Sequence, residues 1–99
     1  MTYKISIEAQ IDIENIWLYT FETWSLEQAD RYVNLILDEI EYLARNPTSG
    51  KDIEHIREGY CQSKVNAHFI FYRIHLEENE IEIIRVLHQK MNIESRLND

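Results

Sequence analysis

This sequence is poor in cysteine, glycine and proline, and it contains no long hydrophobic run. Its single cysteine, Cys61, excludes an internal disulfide and a zinc site built on cysteine pairs. Its two glycines are isolated, so no glycine-rich phosphate loop is present. The longest nearly apolar run, residues 16–21, is far too short to cross a bilayer. Disulfide-rich, transmembrane and nucleotide-loop proteins are therefore excluded.

Basic residues are also scarce. Ten Lys and Arg stand against eighteen Asp and Glu in 99 residues, which gives a net charge of −8. That balance disfavours phosphate-backbone binders and attachment to anionic membranes, so we expect no direct nucleic-acid binding by the chain alone and no membrane partner. The segment from Met1 to Lys4 leads directly into structured-looking sequence. We therefore expect no signal peptide and a cytoplasmic location.

Two adjoining helices account for the first half of the chain. Apolar residues at helical spacing predict a helix from about 9 to 24: Ile13, Ile16, Trp17, Phe21 and Trp24. Ser25 and Gln28 form a capping box, which predicts that a second helix begins at once. Pro47 ends that helix near Asn46. Its apolar spacing predicts a buried face of seven positions: Ala29, Tyr32, Val33, Ile36, Ile40, Leu43 and Ala44. Two helices so closely joined form an antiparallel hairpin over about 9–46.

Strand patterns surround this hairpin. Residues 3–7 predict a first strand, and residues 52–89 predict the other strands, of which one ends at Gly59 and the next covers 60–66. The strands at 68–76 and 80–88 are apolar on both faces, which places them centrally, and residues 93–97 predict a last helical turn. We predict one α+β domain over 1–99, with order β-α-α-β-β-β, in which the antiparallel hairpin packs on an antiparallel sheet and a tail follows from 90 to 99.

Arg57, Arg85 and His88, with Lys90 just beyond, form the main candidate for chemistry. Arginine binds phosphate or carboxylate through a fixed fork, and histidine exchanges protons near neutral pH. A metal-independent ribonuclease needs such groups, although both arginines could instead pair with the surplus carboxylates and stabilise the fold. The four histidines lack the spacing of a compact metal site, so neither a metal nor another cofactor is expected.

Several segments, taken in order, resemble the ParE branch of the RelE/ParE toxins of type II toxin–antitoxin modules. They include residues 16–20, 28–32, 43–51, 56–60, 68–73 and 84–92, and the resemblance extends from about residue 3 to residue 97. It implies a toxin that poisons DNA gyrase, acts by binding and is neutralised by a cognate antitoxin, expected to be of the ribbon-helix-helix type. The family's fold, a helical hairpin on an antiparallel sheet, agrees with the prediction from the residues.

The resemblance also assigns roles to residues. It implies target contact through Arg57 and the carboxyl-terminal run, namely Arg57, Arg85, His88, Lys90, Met91 and Leu97. The antitoxin is expected in the apolar groove between hairpin and sheet, with Trp17, Phe21 and Trp24 as contacts, although their spacing first indicates core positions. Residues 1–46 hold three basic against nine acidic residues, a net charge of −6, which predicts that the antitoxin segment on the hairpin is more basic than usual.

Two other functions stay open. RelE- and YoeB-type ribosome-dependent messenger ribonucleases resemble the chain at Arg57 and at 85–88, and in such an enzyme Arg57, Arg85 and His88 would be catalytic. A net charge of −8 opposes entry into a ribosomal site. The family usually has arginine where this chain has Lys90, and often where it has Cys61. These departures allow a non-toxic remnant that only binds an antitoxin.

Overall fold

A computed structural model describes residues 1–97 as two layers, a helical pair and a mixed sheet. The last two residues of the predicted tail, 98 and 99, lie outside the described residues. The strands are β1 (Thr2–Ile5), β2 (Lys51–Asp52), β3 (Tyr60–Val65), β4 (His68–His75) and β5 (Glu80–His88). The helices are α1 (Ile7–Thr23), α2 (Leu26–Arg45) and α3 (Ile93–Leu97), with a 3-10 turn at Pro47–Ser49. None of these helices is long and apolar enough to cross a membrane.

The sheet has the strand order β1-β5-β4-β3-β2, so β4 and β5 are interior strands as predicted. Strands β2 to β5 pair antiparallel, but β1 pairs parallel to β5, with Thr2 opposite Glu80 and Ile5 opposite Ile83. A wholly antiparallel sheet is therefore wrong. A tight connection imposes antiparallel pairing only on the two strands that it joins. In the chain, β1 is separated from its partner β5 by the helical hairpin and by β2 to β4, so the two can pair parallel.

The helical hairpin forms as predicted. Ser6 and Ser25 cap the two helices, their hydroxyls accepting from the backbone N–H groups of Ala9 and Gln28 at 3.0 Å. The buried face of α2 contains predicted positions only: Ala29, Ile36, Ile40, Leu43 and Ala44. On α1, however, Ala9, Ile16 and Thr20 are buried, and Trp24 is 70% exposed. The core role expected for Phe21 and Trp24 is therefore wrong.

A second apolar cluster covers the sheet face opposite the helices. It contains Ile53, Tyr60, Phe71, Leu87 and Leu97. The predicted strand ending at Gly59 is wrong, because β2 stops at Asp52 and residues 54–59 form turns whose preceding residue, Ile53, is buried in this cluster. Gly59 has φ +79°, a left-handed conformation that a strand does not contain.

Strand β5 contains a bulge that changes which side chains face the helices near the candidate site. Phe71 pairs with Arg85 whereas Tyr72 pairs with Ile83, so Ile84 has no partner in β4. The carbonyl of Ile84 instead accepts from the Ser6 hydroxyl at 2.8 Å. The extra residue places Val86, rather than Arg85, in the same helix-side core as Ile83.

Candidate functional site

An open cleft of about 870 Å³ lies between the helical hairpin and the carboxyl end of β5. Its walls come from α1, α2, the β3–β4 turn, the end of β5 and the tail that follows. One part of the lining is apolar and includes Ile11, Ile16, Tyr19, Trp24, Leu35, Val86, Leu87 and Met91. A second part is polar or charged and includes Asp12, Gln28, Arg31, Tyr32, His68, Arg85, His88 and Arg96. The cleft therefore combines an apolar wall with groups that can bind polar partners.

Arg85 and Asp12 form the cross-layer ion pair of this cleft. Arg85 Nε donates to Asp12 Oδ2 at 2.8 Å, and Nη2 donates to Oδ1 at 2.9 Å. Asp12 Oδ2 also accepts from the backbone N–H of Val86 at 3.0 Å. Strand β1 pairs with β5 only as far as Ile83, so the Val86 amide has no partner in β1. The Asp12 carboxylate accepts the hydrogen bond from that amide instead. The guanidinium is thus held by the fold, as the sequence-based alternative of carboxylate pairing proposed.

Two histidines and a tyrosine form the polar cluster beside this pair. The Tyr32 hydroxyl lies 2.6 Å from His68 Nδ1 and within 3.3 Å of the Val65 carbonyl and the Ala67 amide. The rings of His68 and His88 meet edge to face, with centroids 5.1 Å apart. These contacts connect α2 to the ends of β4 and β5.

The environment of His68 disfavours its protonated form. Burial and, to a smaller extent, the neighbouring His88 lower the pKa of His68, the Asp12 carboxylate offsets part of the effect, and the resulting pKa is about 4. Burial also raises the pKa of Tyr32 above its usual value. His88 Nδ1 accepts from the backbone N–H of Lys90 at 3.1 Å, which fixes the orientation of that ring. At neutral pH Tyr32 and His68 are therefore neutral hydrogen-bonding groups.

The three aromatic residues expected to meet the antitoxin occupy two different surroundings. Trp24 lines the cleft and is mostly exposed. The Trp17 and Phe21 rings stack at 5.2 Å, and Trp17 Nε1 donates to Asp30 Oδ1 at 2.9 Å, which joins α1 to α2. Neither residue lines the cleft, although Phe21 is 44% exposed beside it. Tyr19, which the sequence did not single out, is 68% exposed and lines the cleft with Trp24.

The residues expected to contact the target are divided among three places. Arg85, His88 and Met91 line the cleft, and the exposed Lys90 lies between the last two in the chain. Leu97 is only 4% exposed, because it packs in the outer cluster and anchors α3. Arg57 lies in a separate pocket. The structure therefore brings together only part of the predicted set.

Arg57 lines a separate, more polar pocket formed by the turns after β2. Its guanidinium lies 5.8 Å from the centre of the Tyr60 ring, and that of Arg73 lies 5.7 Å from the same ring. Glu54, Glu58 and Gly59 complete this pocket, which shares no lining residue with the cleft. The three residues considered for ribonuclease chemistry are thus not assembled around one substrate position.

Several polar residues of the cleft were not among the sequence-based site predictions, including Asp12, Arg31, Tyr32, His68 and Arg96. Tyr32 was expected only on the buried face of α2. The available signal was the spread of apolar residues around α1, because one sheet face cannot cover apolar side chains on every side of a helix. Within residues 1–97 no three of His, Cys, Asp and Glu come together in a metal-binding arrangement.

Sequence comparison identifies the family. A family model for the ParE toxin of type II toxin–antitoxin systems, parDE, matches residues 3–93. The chain belongs to the ParE toxin family. Toxin ParE1 of Caulobacter vibrioides is 38% identical over 95 residues, and Toxin ParE1 of Mycobacterium tuberculosis is 36% identical; each alignment covers 96% of both chains. Toxin ParE of Escherichia coli is 26% identical over 98% of this chain and 93% of that one. These matches confirm the family suggested by the residues.

Solved structures share the fold of this ParE-family chain. A chain from the chromosomal ParDE toxin–antitoxin system of P. aeruginosa superposes with a TM-score of 0.76 at 21% identity, covering 89% of this chain and 95% of that chain. A chain from the toxin–antitoxin complex RelBE2 of Mycobacterium tuberculosis gives 0.67 at 22% identity, covering 88% and 95%. At this identity the likeness supports the α+β fold and nothing further.

Proposed function

We propose that this ParE-family chain is a cytoplasmic toxin that inhibits DNA gyrase by binding and is neutralised by a cognate ribbon-helix-helix antitoxin. The cleft carries this proposal. An amphipathic segment of the antitoxin occupies it, with its apolar side chains against the exposed wall of α1 and its polar groups toward the tyrosine and histidines. Contiguous exposed apolar side chains of this kind mark sites of protein association.

The apolar wall supports a protein partner rather than a small substrate. Tyr19 and Trp24 are each about two-thirds exposed, and Ile11 and Leu35 beside them are also exposed. Aromatic side chains bury large areas at interfaces and are enriched among the residues that dominate binding energy. A partner segment laid on this wall would remove that surface from water.

The position of the predicted target residues supports neutralisation by overlap. His88 and Met91 belong both to the run expected to contact gyrase and to the lining of the cleft. An antitoxin segment in the cleft therefore covers part of the surface that the target would use. Arg57 lies in the separate pocket and would stay accessible, so contact through Arg57 alone would not be blocked.

The ribonuclease alternative has less support in the geometry. Arg57 lies apart from Arg85 and His88, and Arg85 is already bound to the Asp12 carboxylate through Nε and Nη2. A phosphate-stabilising arginine must be able to meet the reacting group, and Arg85 would first have to release its partner. The antitoxin-binding remnant is distinguished from the toxin by experiment.

The test is to induce the chain in bacteria and to follow growth, plasmid supercoiling and cleavage of translated messenger. The proposal expects growth arrest with loss of negative supercoiling and intact messenger. Arrest with normal supercoiling and cut messenger would support the ribonuclease instead. No arrest in a host with closely matching gyrase would support the remnant. His88→Ala should weaken arrest, whereas Arg45→Ala, an exposed change at the far end of α2, serves as the matched control.

A further inference from the structure

The charge of the cleft is opposite to that of the chain. Among the described residues that line it, three are arginines and one is an aspartate: Arg31, Arg85, Arg96 and Asp12. The whole chain carries −8. An acidic protein therefore presents a locally cationic groove, and the hairpin's overall −6 does not describe the surface that a partner would meet.

Two of these arginines remain available to a partner. The Asp12 carboxylate is bound to Arg85 by two hydrogen bonds and to a backbone amide by a third. Within residues 1–97, no carboxylate lies within ion-pair distance of Arg31 or Arg96. Arg31 makes one long side-chain contact, 3.5 Å to the Gln28 amide oxygen, which is neutral. Among the described residues, the cleft thus offers two uncommitted cations, Arg31 and Arg96, and its one carboxylate, Asp12, is already bound.

We propose that the antitoxin segment in the cleft carries carboxylates, and that Arg31 and Arg96 bind them on either side of its apolar contacts. This inference rests on the proposed function and specifies the chemistry of the partner. It replaces the basic segment expected from the acidity of the hairpin half. The two arginines belong to different elements, α2 and α3, so they fix the position of the segment at two points.

The apolar surroundings make these charges selective. When a segment displaces water from the wall formed by Leu35, Val86 and Met91, the nearby guanidinium groups lose hydration and favour an anionic partner. Arginine binds carboxylate through two parallel hydrogen bonds, which adds orientation as well as attraction. A basic segment would meet like charge in the same place and would be disfavoured. Charge thus contributes to partner choice while the aromatic wall contributes affinity.

The experiment is calorimetric titration of the full chain with the cognate ribbon-helix-helix antitoxin of the proposed function, at about 50 mM and about 500 mM salt. Arg31→Gln and Arg96→Gln should each weaken binding about tenfold at low salt and should lessen its salt dependence. Arg31→Lys, which keeps the charge but not the fork, should retain part of the affinity. Arg45→Gln, on the same helix but outside the cleft, should bind like the unchanged chain.

The outcomes separate the two proposals. If the unchanged chain does not bind this antitoxin at all, the proposed function fails and the inference fails with it. If it binds, but both glutamine variants bind equally well or more tightly and salt has no effect, the acidic segment is wrong while the proposed function stands. A far-ultraviolet spectrum and an unfolding curve of each variant establish that any loss of binding does not come from unfolding.

Discussion

Arg85 and Asp12 lie 73 residues apart in sequence and are joined by two parallel hydrogen bonds across the two layers of the fold. Their side chains are only 20% and 12% exposed. The pair lies directly in the cleft wall, so the same guanidinium serves the fold and faces the predicted binding surface. Loss of activity in an Arg85 variant therefore has to be separated from loss of stability.

The ion pair between Arg85 and Asp12 stabilises the fold. Arg85→Ala should lower the free energy of unfolding by about 2–3 kcal/mol, because a largely buried carboxylate loses its partner. Urea unfolding followed by circular dichroism measures the change. When Asp12 is replaced by alanine in the Arg85→Ala variant, the free energy of unfolding should fall by less than the sum of the losses in the two single variants. Neither charge is then left without its partner. A loss below about 0.5 kcal/mol in Arg85→Ala would contradict the structural role.

His68 makes stability depend on pH. Its pKa is lowered to about 4 in the folded chain, from 6.5 in the unfolded one, so below pH 6.5 the unfolded state takes up the proton first. Stability should therefore be unaffected above about pH 7 and should fall as the pH drops from about 6.5 to about 4. Partial exposure of the ring limits the loss to about 1–2 kcal/mol. His68→Gln should flatten this part of the unfolding profile, and His55→Gln, in an exposed turn, should not. Equal slopes for the unchanged chain and His68→Gln would count against the buried neutral histidine.

Tyr72 secures the connection between α2 and the sheet. Its hydroxyl donates to the Pro47 carbonyl at 2.8 Å and accepts from the Gly50 amide at 3.1 Å, and burial raises its pKa to about 12. Tyr72→Phe should lower the free energy of unfolding by about 1–3 kcal/mol, because both backbone groups lose their partner. Tyr42→Phe, on the exposed face of α2, is the control and should change it by less than about 0.5 kcal/mol. Thermal unfolding that is equal in the two variants would refute this role.

Trp24 provides a binding change with little cost in stability. Because it is 70% exposed, Trp24→Ala should leave the unfolding free energy within about 0.5 kcal/mol of the original. It should weaken antitoxin binding about tenfold or more, since aromatic anchors dominate such interfaces. Leu76→Ala, which removes an exposed apolar side chain outside the cleft, should bind normally. Unchanged affinity in Trp24→Ala, measured by calorimetry, would show that the antitoxin lies elsewhere.

The helical hairpin could be predicted because its signals are local. The capping box at Ser25 and the apolar spacing of α2 identify both the start of the helix and its buried face. The face of α1 could not be chosen in the same way, since apolar residues surround that helix and the spacing of Trp17, Phe21 and Trp24 is as regular as that of the buried positions. The contact with the sheet determines which face of α1 is buried, and the local sequence pattern carries no information about that contact.

The candidate site was harder to predict because it depends on long-range placement. Strict alternation along β5 puts Arg85 on the same face as Ile83, and the bulge at Ile84 that changes this has no marker such as glycine. The partner of Arg85 comes from α1, and the cationic arginines come from α2 and α3. Composition gives the sign of the net charge of the whole chain, whereas packing determines the sign of the charge in the cleft.

The most direct test of the central claim is a supercoiling assay with purified gyrase, the purified chain and its antitoxin. We expect the chain to inhibit supercoiling and the antitoxin to restore supercoiling at about equimolar concentration. The Trp24→Ala variant should inhibit gyrase equally well, but more antitoxin should be needed to restore supercoiling. Uninhibited supercoiling at a large excess of folded chain would contradict the account.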